Sequence, residues 1–126
     1  MVSRTQRQAA FAIYACLLFI ATHWPALTIP LKGRWDLPVH AAVFGTWCAL
    51  FTSLGVFGTP ASRRNVLRSA LVATVYAAVD ESLQAIPAIH RTAAWDDFGA
   101  NCLGVWLVAV AILVGRTRTP FLQDSP

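Results

Sequence analysis

The feature that most constrains the fold of this chain is a set of four long apolar segments joined by short hydrophilic turns. They cover about residues 8–27, 37–57, 66–86 and 96–115. A helix of about 20 residues is roughly 30 Å long, which matches the hydrocarbon core of a bilayer. The spacing therefore predicts an all-α membrane protein, with one domain over residues 1–126 built as a bundle of four transmembrane helices.

The composition favours the same class of protein. Hydrophobic residues make up 56% of the chain and charged residues 13%, whereas in soluble domains about a quarter of all residues are charged. The net charge of +4 could suit nucleic acid, but the basic residues are scattered singly and in pairs and form no stripe. We therefore expect the lipid bilayer as a partner and no nucleic acid.

The three cysteines and the N-terminus add little chemistry. Cys16, Cys48 and Cys102 lie inside apolar runs without a metal-type spacing, so we predict neither a disulfide framework nor a cofactor. Arg4 and Arg7 before the first apolar run resemble the start of a signal peptide. No small-residue cleavage site follows, so we interpret this run as an uncleaved first span.

The distribution of lysine and arginine predicts the orientation of the spans. Seven of these residues lie in the N-terminal stretch, the second loop and the tail, and three lie in the first and third loops: Lys32, Arg34 and Arg91. The positive-inside rule then predicts that both termini are cytoplasmic. The same orientation puts Trp24, Trp35 and Trp95 at the outer interface, where indole rings are enriched.

Polar side chains are concentrated at the predicted outer ends of the last three segments. The set comprises Asp36, His40, Asp80, Glu81, Gln84, Arg91, Asp96, Asp97 and Asn101. Helical spacing puts Asp97, Asn101 and Gly104 in one stripe, and small residues over 69–77 form a stripe that leads toward Glu81. Small residues let membrane helices approach closely, so we expect the polar groups to face the interior of the bundle.

Each acid in this set has a structural and a functional interpretation. Glu81 either ties helix ends together or acts as a general base or ligand-binding carboxylate; we favour function because ionisable groups at membrane depth usually mark working sites. Asp80 is the weaker candidate of the two adjacent acids. Asp96 suits an N-cap, and Asp36 suits either an N-cap or a partner that orients His40.

The remaining groups leave further alternatives open. Asp97 is the stronger candidate of its adjacent pair, one turn before Asn101. Arg91 either closes the third loop with an internal salt bridge or binds an external anion. Asp36, His40, Glu81 and Asp97 have metal-ligand chemistry, but no His-x-x-x-His or Glu-x-x-His spacing supports a metal site, and we predict none. His23 and His90 read as interfacial residues.

Four motifs occur in a fixed order over about two-thirds of the chain. They are Asp36-Leu37-Pro38-Val39-His40, then Asp80-Glu81-Ser82-Leu83-Gln84, then Pro87 followed by Arg91, then Asp97-Phe98-Gly99-Ala100-Asn101-Cys102-Leu103-Gly104. Together they resemble the VanZ-like family of small bacterial membrane proteins, which is named from a member linked to teicoplanin resistance. Leu37 departs from the lysine that is frequent in that family.

The resemblance and the polar residues give two functional hypotheses. In the first, a multi-pass protein of the bacterial cytoplasmic membrane binds or acts on a polar or lipid-linked cell-envelope molecule at an outward-facing site. Glu81, His40 and Asp97 would carry catalysis there, and Asp36, Gln84, Arg91 and Asn101 would bind the ligand; whether a bond is broken stays open. In the second, a structural or adaptor protein uses the same residues as a closed network that fixes helix register.

Two further questions concern transport and assembly. Four short spans without an inverted repeat disfavour a proton-coupled transporter. The faces lined by small residues serve either packing within the chain or homo-oligomerisation, and the sequence leaves both open.

Overall fold

A computed structural model describes residues 2–24, 34–89 and 93–117. These residues form four α-helices: α1 is Arg4–His23, α2 is Asp36–Ser53, α3 is Arg63–Gln84 and α4 is Trp95–Thr117. A short 3-10 helix, Pro87–Ile89, follows α3. The predicted all-α class is confirmed.

The helices begin before the predicted apolar segments because polar caps extend them. Ser3 caps α1 in a capping box with Gln6, and the Ser62 hydroxyl accepts a hydrogen bond from the backbone of Asn65 to cap α3. Such caps satisfy the free N–H groups of the first turn. The α2 helix ends at Ser53, shortly before Gly55 with a φ of 66°. That backbone conformation favours glycine and stops a right-handed helix.

Among the described helices, α4 alone is both long and apolar enough to span a membrane, with a mean hydropathy of 2.1. The charged residues of α3, including three arginines near its start and two acids near its end, lower its hydropathy. Asp36 and His40 do the same at the start of α2. The structure therefore supports four helices with one candidate span, and a bundle in which all four helices cross the bilayer is part of the proposal below.

Consecutive helices run in opposite directions. The Arg7 guanidinium at the start of α1 donates to the carbonyl oxygen of Ser53 at the end of α2, 2.8 Å away. The Arg116 guanidinium near the end of α4 donates to the carbonyl oxygen of Ala61, just before α3, at 3.4 Å. The arginines of these helix ends therefore collect at one end of the bundle, which we call the basic end. The opposite end holds Thr22, His40, Asp80, Glu81 and Asn101, and we call it the polar end.

Aromatic and small side chains build the core between the two ends. The ring of Trp47 stacks on that of Tyr76 with 4.9 Å between centroids, and Phe44 is fully buried. The small residues predicted to line one face of α3 are Ser69, Ala73 and Ala77, and all three are 0% exposed. That part of the sequence prediction is confirmed.

The α2 and α4 helices approach each other closely at Gly104. A Cβ atom added to Gly104 would lie 1.9 Å from the carbonyl oxygen of Ala41, so only glycine fits there. The contact has a direct effect on the polar end because His40 precedes Ala41, and Asn101 lies about one turn before Gly104. The glycine therefore brings the His40 and Asn101 side chains within reach of each other.

Candidate functional site

One group of polar side chains at the polar end joins α1 to α3, and we call it the Asp80 cluster: Thr22, His23, Asp80 and Gln84. Asp80 is 1% exposed. Its carboxylate accepts hydrogen bonds from the Thr22 hydroxyl at 2.9 Å and from the Gln84 side-chain amide at 3.1 Å. Both carboxylate oxygens therefore have a donor, which is what a buried carboxylate requires.

His23 completes the Asp80 cluster. Its Nδ1 atom lies 3.7 Å from an oxygen of Asp80 and 2.9 Å from the carbonyl oxygen of Phe19. A carbonyl oxygen can only accept, so this contact is a hydrogen bond in the tautomer that carries the proton on Nδ1; the Thr22 hydroxyl also lies 2.9 Å from this nitrogen. The ring also stacks on the Phe19 ring, with 4.1 Å between centroids. These contacts hold the imidazole against Asp80 at the end of α1.

A second group joins α2, α3 and α4, and we call it the Glu81 cluster: His40, Glu81, Asp97 and Asn101. The Nδ1 atom of His40 lies 3.1 Å from the Asn101 side-chain oxygen, and its Nε2 atom lies 3.7 Å from an Asp97 oxygen. Glu81 is close enough to His40 and Asp97 for electrostatic interaction. The imidazole is thus placed between an amide and a carboxylate, an arrangement that fixes its orientation.

Glu81 is paired on one oxygen only. Its Oε1 atom accepts a hydrogen bond of 2.6 Å from the backbone N–H of Ala94, while its Oε2 atom is buried and has no hydrogen-bond donor in the described part of the chain. The residue is only 7% exposed. An unpaired carboxylate oxygen away from water is costly, so this atom is the strongest indication of a binding function at the polar end.

Asn101 also has an unused hydrogen-bonding atom. The residue is fully buried, and its Nδ2 atom has no partner among the residues that the structure describes. The amide can present either its oxygen or its amino group to His40. In both orientations the other atom of the amide has no partner among these residues, so the described part of the Glu81 cluster has two unused hydrogen-bonding positions.

A cavity of about 410 Å³ lies beside Glu81, between α3 and α4. Its lining consists of Ala78, Glu81, Ser82, Ala85, Ala93, Ala94, Trp95 and Phe98. Small side chains of α3 form one wall and two aromatic rings of α4 form the other. The volume is within the range of roughly 300–1,000 Å³ that is typical of small-molecule sites. An apolar cavity with one carboxylate can hold an amphiphilic ligand.

The structure does not bring all of the predicted site residues together. Gln84 hydrogen-bonds Asp80, so it belongs with the acid that we considered the weaker candidate. Asp36 is in the first turn of α2, where Trp35 is the N-cap, and within the described ranges no hydrogen bond joins Asp36 to His40. The N-cap interpretation of Asp36 is therefore wrong. Arg91 lies outside the described residues.

Asp96 pairs with Arg34 at the rim of the polar end. Because α4 begins at Trp95, Asp96 lies in the first turn and the N-cap interpretation is wrong for this residue as well. Its carboxylate forms an ion pair with the Arg34 guanidinium. The carboxylate raises the pKa of Arg34 through this hydrogen bond and its charge. The two side chains are 62% and 47% exposed, so this pair contributes little to stability. The ion pair does connect the residues just before α2 to the first turn of α4.

The sequence analysis did not consider Thr22 and interpreted His23 as an interfacial residue, so it missed the contact of both with Asp80. The sequence did contain a signal. In the predicted first span, over residues 8–27, these residues lie four to five positions before the outer end, which is also the predicted depth of Glu81. Depth alone therefore indicated that α1 contributes polar groups to the same layer.

The fold and the site together define a class of protein: a small all-helical chain with a candidate membrane span and a buried group of ionisable residues at one end. A protein-family model described as VanZ/LLP1 matches residues 11–116. The chain therefore belongs to the VanZ-like family, which confirms the resemblance seen in its motifs. Neither the curated proteins nor the solved structures gave a significant match.

Proposed function

We propose that this VanZ-like chain is a multi-pass protein of the bacterial cytoplasmic membrane that binds a polar or lipid-linked cell-envelope molecule at its polar end. The observation that supports this most is the Oε2 atom of Glu81, which is buried beside the cavity of about 410 Å³ and has no donor among the residues that the structure describes. A ligand that donates a hydrogen bond to this atom would remove the cost of the unpaired oxygen. The polar end would face outward.

The other residues have supporting roles in this proposal. Asn101 and Asp97 orient His40 between them, so that His40 and Glu81 can exchange protons with a ligand hydroxyl or amine. Asp36, Gln84 and Arg91 would contribute to ligand binding around this centre. Through an envelope ligand, the protein would influence sensitivity to glycopeptides such as teicoplanin.

The structural alternative also has an observation in its favour. In the Asp80 cluster, both oxygens of Asp80 have donors from two helices, as expected of a network that fixes helix register. Within the described residues, the Asp80 cluster has an unused atom only on the His23 ring, at Nε2, whereas the acid of the Glu81 cluster itself has an unused oxygen and lines a cavity. We therefore assign the structural role to Asp80 and the binding role to Glu81.

Lipids that remain bound through purification test the binding role. The parent protein and Glu81→Gln would be purified in mild detergent from the same host, and their bound lipids would be compared by mass spectrometry. We expect the variant to lose an envelope lipid that the parent retains, because glutamine presents an amino group where the ligand donor would bind. Asp96→Asn is the matched control, since Asp96 is exposed and does not line the cavity. Identical lipid profiles for all three proteins would contradict the binding role.

The proposed topology predicts which positions are accessible from outside the cell. Ala93 and Ala61 are exposed at opposite ends of the bundle, and neither is a cap residue. In a background without Cys16, Cys48 and Cys102, Ala93→Cys should react with an impermeant thiol reagent in intact cells, and Ala61→Cys should react only after lysis. The reverse pattern would show that the polar end faces the cytoplasm.

A further inference from the structure

We infer that the ligand of the Glu81 site is a membrane lipid whose headgroup carries a protonated primary amine, held with the amine on Glu81 and the lipid body between α3 and α4. This inference rests on the proposed function and assigns a chemical class to the ligand. Its basis is the shape of the cavity, the position of its opening and the charge of the groups around it.

The shape of the cavity suits an elongated apolar group. Ala78, Ser82 and Ala85 lie on one face of α3 at helical spacing, and their small side chains leave room beside the rings of Trp95 and Phe98. These two rings pack edge to face, with 6.5 Å between centroids. The result is a slot between the two helices with Glu81 in its wall.

The slot opens on the side of the bundle. Ser82 and Ala85 on one wall are exposed, and Trp95 on the other is 89% exposed. Tryptophan is favoured at the interface between membrane and water, so this opening would lie at headgroup level. A lipid could therefore reach Glu81 from within the bilayer, with the remainder of its chains among other lipids.

The charges around Glu81 favour a cation as its partner. Glu81 interacts electrostatically with two further acids, Asp80 and Asp97, and with one imidazole, that of His40, so acids outnumber basic groups around it. Arg34, a cation described at this end, is already paired with Asp96. A phosphate or carboxylate next to Glu81 would be repelled, whereas an ammonium group offers three donors and a compensating charge.

Within residues 2–24, 34–89 and 93–117, neighbouring donors leave one oxygen of Glu81 unsatisfied. The Ser82 hydroxyl, the nearest side-chain donor along α3, donates to the carbonyl oxygen of Ala78 at 2.6 Å. The Ala94 N–H is used by Oε1 of Glu81. The Oε2 atom is thus left for a ligand. A neutral hydroxyl would supply one hydrogen bond but would add no positive charge to a site in which three acids share one imidazole, which makes the amine the better match.

The test uses two lipids that differ only at the amine. Purified full-length protein would be titrated with phosphatidylethanolamine and with N-acetyl-phosphatidylethanolamine of identical acyl chains, and bound lipid would be counted by native mass spectrometry. We expect the parent to bind the free-amine lipid about tenfold more tightly, the factor that corresponds to roughly 1.4 kcal/mol. In Glu81→Gln this preference should disappear.

A second pair of variants tests the slot itself. Ala78→Phe places a ring in the cavity and should reduce binding of both lipids about tenfold or more. Val79→Phe is the control, since Val79 is 50% exposed on the same helix and does not line the cavity. Equal losses in the two variants would contradict the assignment of the slot.

The outcomes separate this inference from the proposed function. If the parent binds both lipids equally and Glu81→Gln weakens both, the amine assignment is overturned while a ligand site at Glu81 is kept. If Glu81→Gln and Ala78→Phe both bind each lipid as the parent does, the lipid inference is overturned, and unchanged co-purifying lipids would overturn the binding role as well. Thermal unfolding of each variant establishes that it is folded.

Discussion

Replacing Gly104 by alanine is expected to lower the free energy of unfolding by about 2 kcal/mol or more, as overpacking a tight contact does. The new Cβ would lie 1.9 Å from the Ala41 carbonyl oxygen. Since that atom belongs to the backbone, α2 and α4 must separate by about 1.5 Å to restore an ordinary contact of 3.4 Å. The measurement is the free energy or midpoint of unfolding of the purified variant.

The chain offers a matched control for this substitution on the same helix. A Cβ added to Gly99 would meet nothing within 4 Å. Because alanine favours a helix over glycine by about 1 kcal/mol, Gly99→Ala should leave stability unchanged or raise it. A loss of equal size in both variants would show that the α2–α4 contact at Gly104 is not the cause. If neither variant lost stability, the result would show that α2 and α4 do not meet at Gly104.

Replacing Asp80 by alanine is expected to cost roughly 3 kcal/mol of stability, in the range for a buried polar network that loses its central acceptor. The substitution would leave the Thr22 hydroxyl and the Gln84 amide without their shared acceptor and would open a cavity beside His23. Unfolding midpoints of the parent and the variant measure the effect.

Asp80→Asn is a milder substitution at the same position and can be compared with Asp80→Ala. Its side-chain oxygen can still accept from Thr22, but its amino group faces the amide of Gln84 until that amide turns over. The loss should therefore be smaller than for alanine. An Asp80→Ala variant as stable as the parent would remove the structural role that we give to the Asp80 cluster.

The different roles of Asp80 and Glu81 follow from helix geometry. Consecutive residues of an α-helix point about 100° apart. On α3, this directs Asp80 toward Thr22 of α1 and Glu81 toward Ala94 at the start of α4. Two adjacent acids therefore meet different neighbours, and only the second lies beside the cavity.

Much of the fold follows from patterns within single segments. Apolar run length predicts four helices, and the small residues at positions 69, 73 and 77 of α3 predict a buried face. The stripe of Asp97, Asn101 and Gly104 predicts a close approach of α4 to a neighbour, and the structure identifies that neighbour as α2. Helical spacing is enough for such predictions because each depends on which residues share a face.

Contacts that depend on the rotation of one helix about another could not be predicted in this way. Gln84 is one turn from both Asp80 and Glu81, and helical spacing does not choose between them. In the structure, Gln84 of α3 and Thr22 of α1 both donate hydrogen bonds to Asp80. His23 was missed for the same reason. The position of α1 depends on contacts such as the Tyr14 hydroxyl donating to the Val43 carbonyl oxygen at 2.8 Å, and no pattern within α1 specifies them.

The most direct test of Glu81 as a binding group is the thermal unfolding midpoint of Glu81→Gln in detergent, compared with the parent after bound lipid has been removed from both proteins, because a retained ligand would itself stabilise the parent. Glutamine keeps an oxygen that can accept from the Ala94 N–H and removes a buried charge whose second oxygen has no donor among the described residues. Polar groups held for function reduce stability, and their neutral isosteres often restore it. We therefore expect a midpoint equal to or above that of the parent. A drop as large as that of Asp80→Ala would mean that Glu81 belongs to a structural network, and would contradict the binding site.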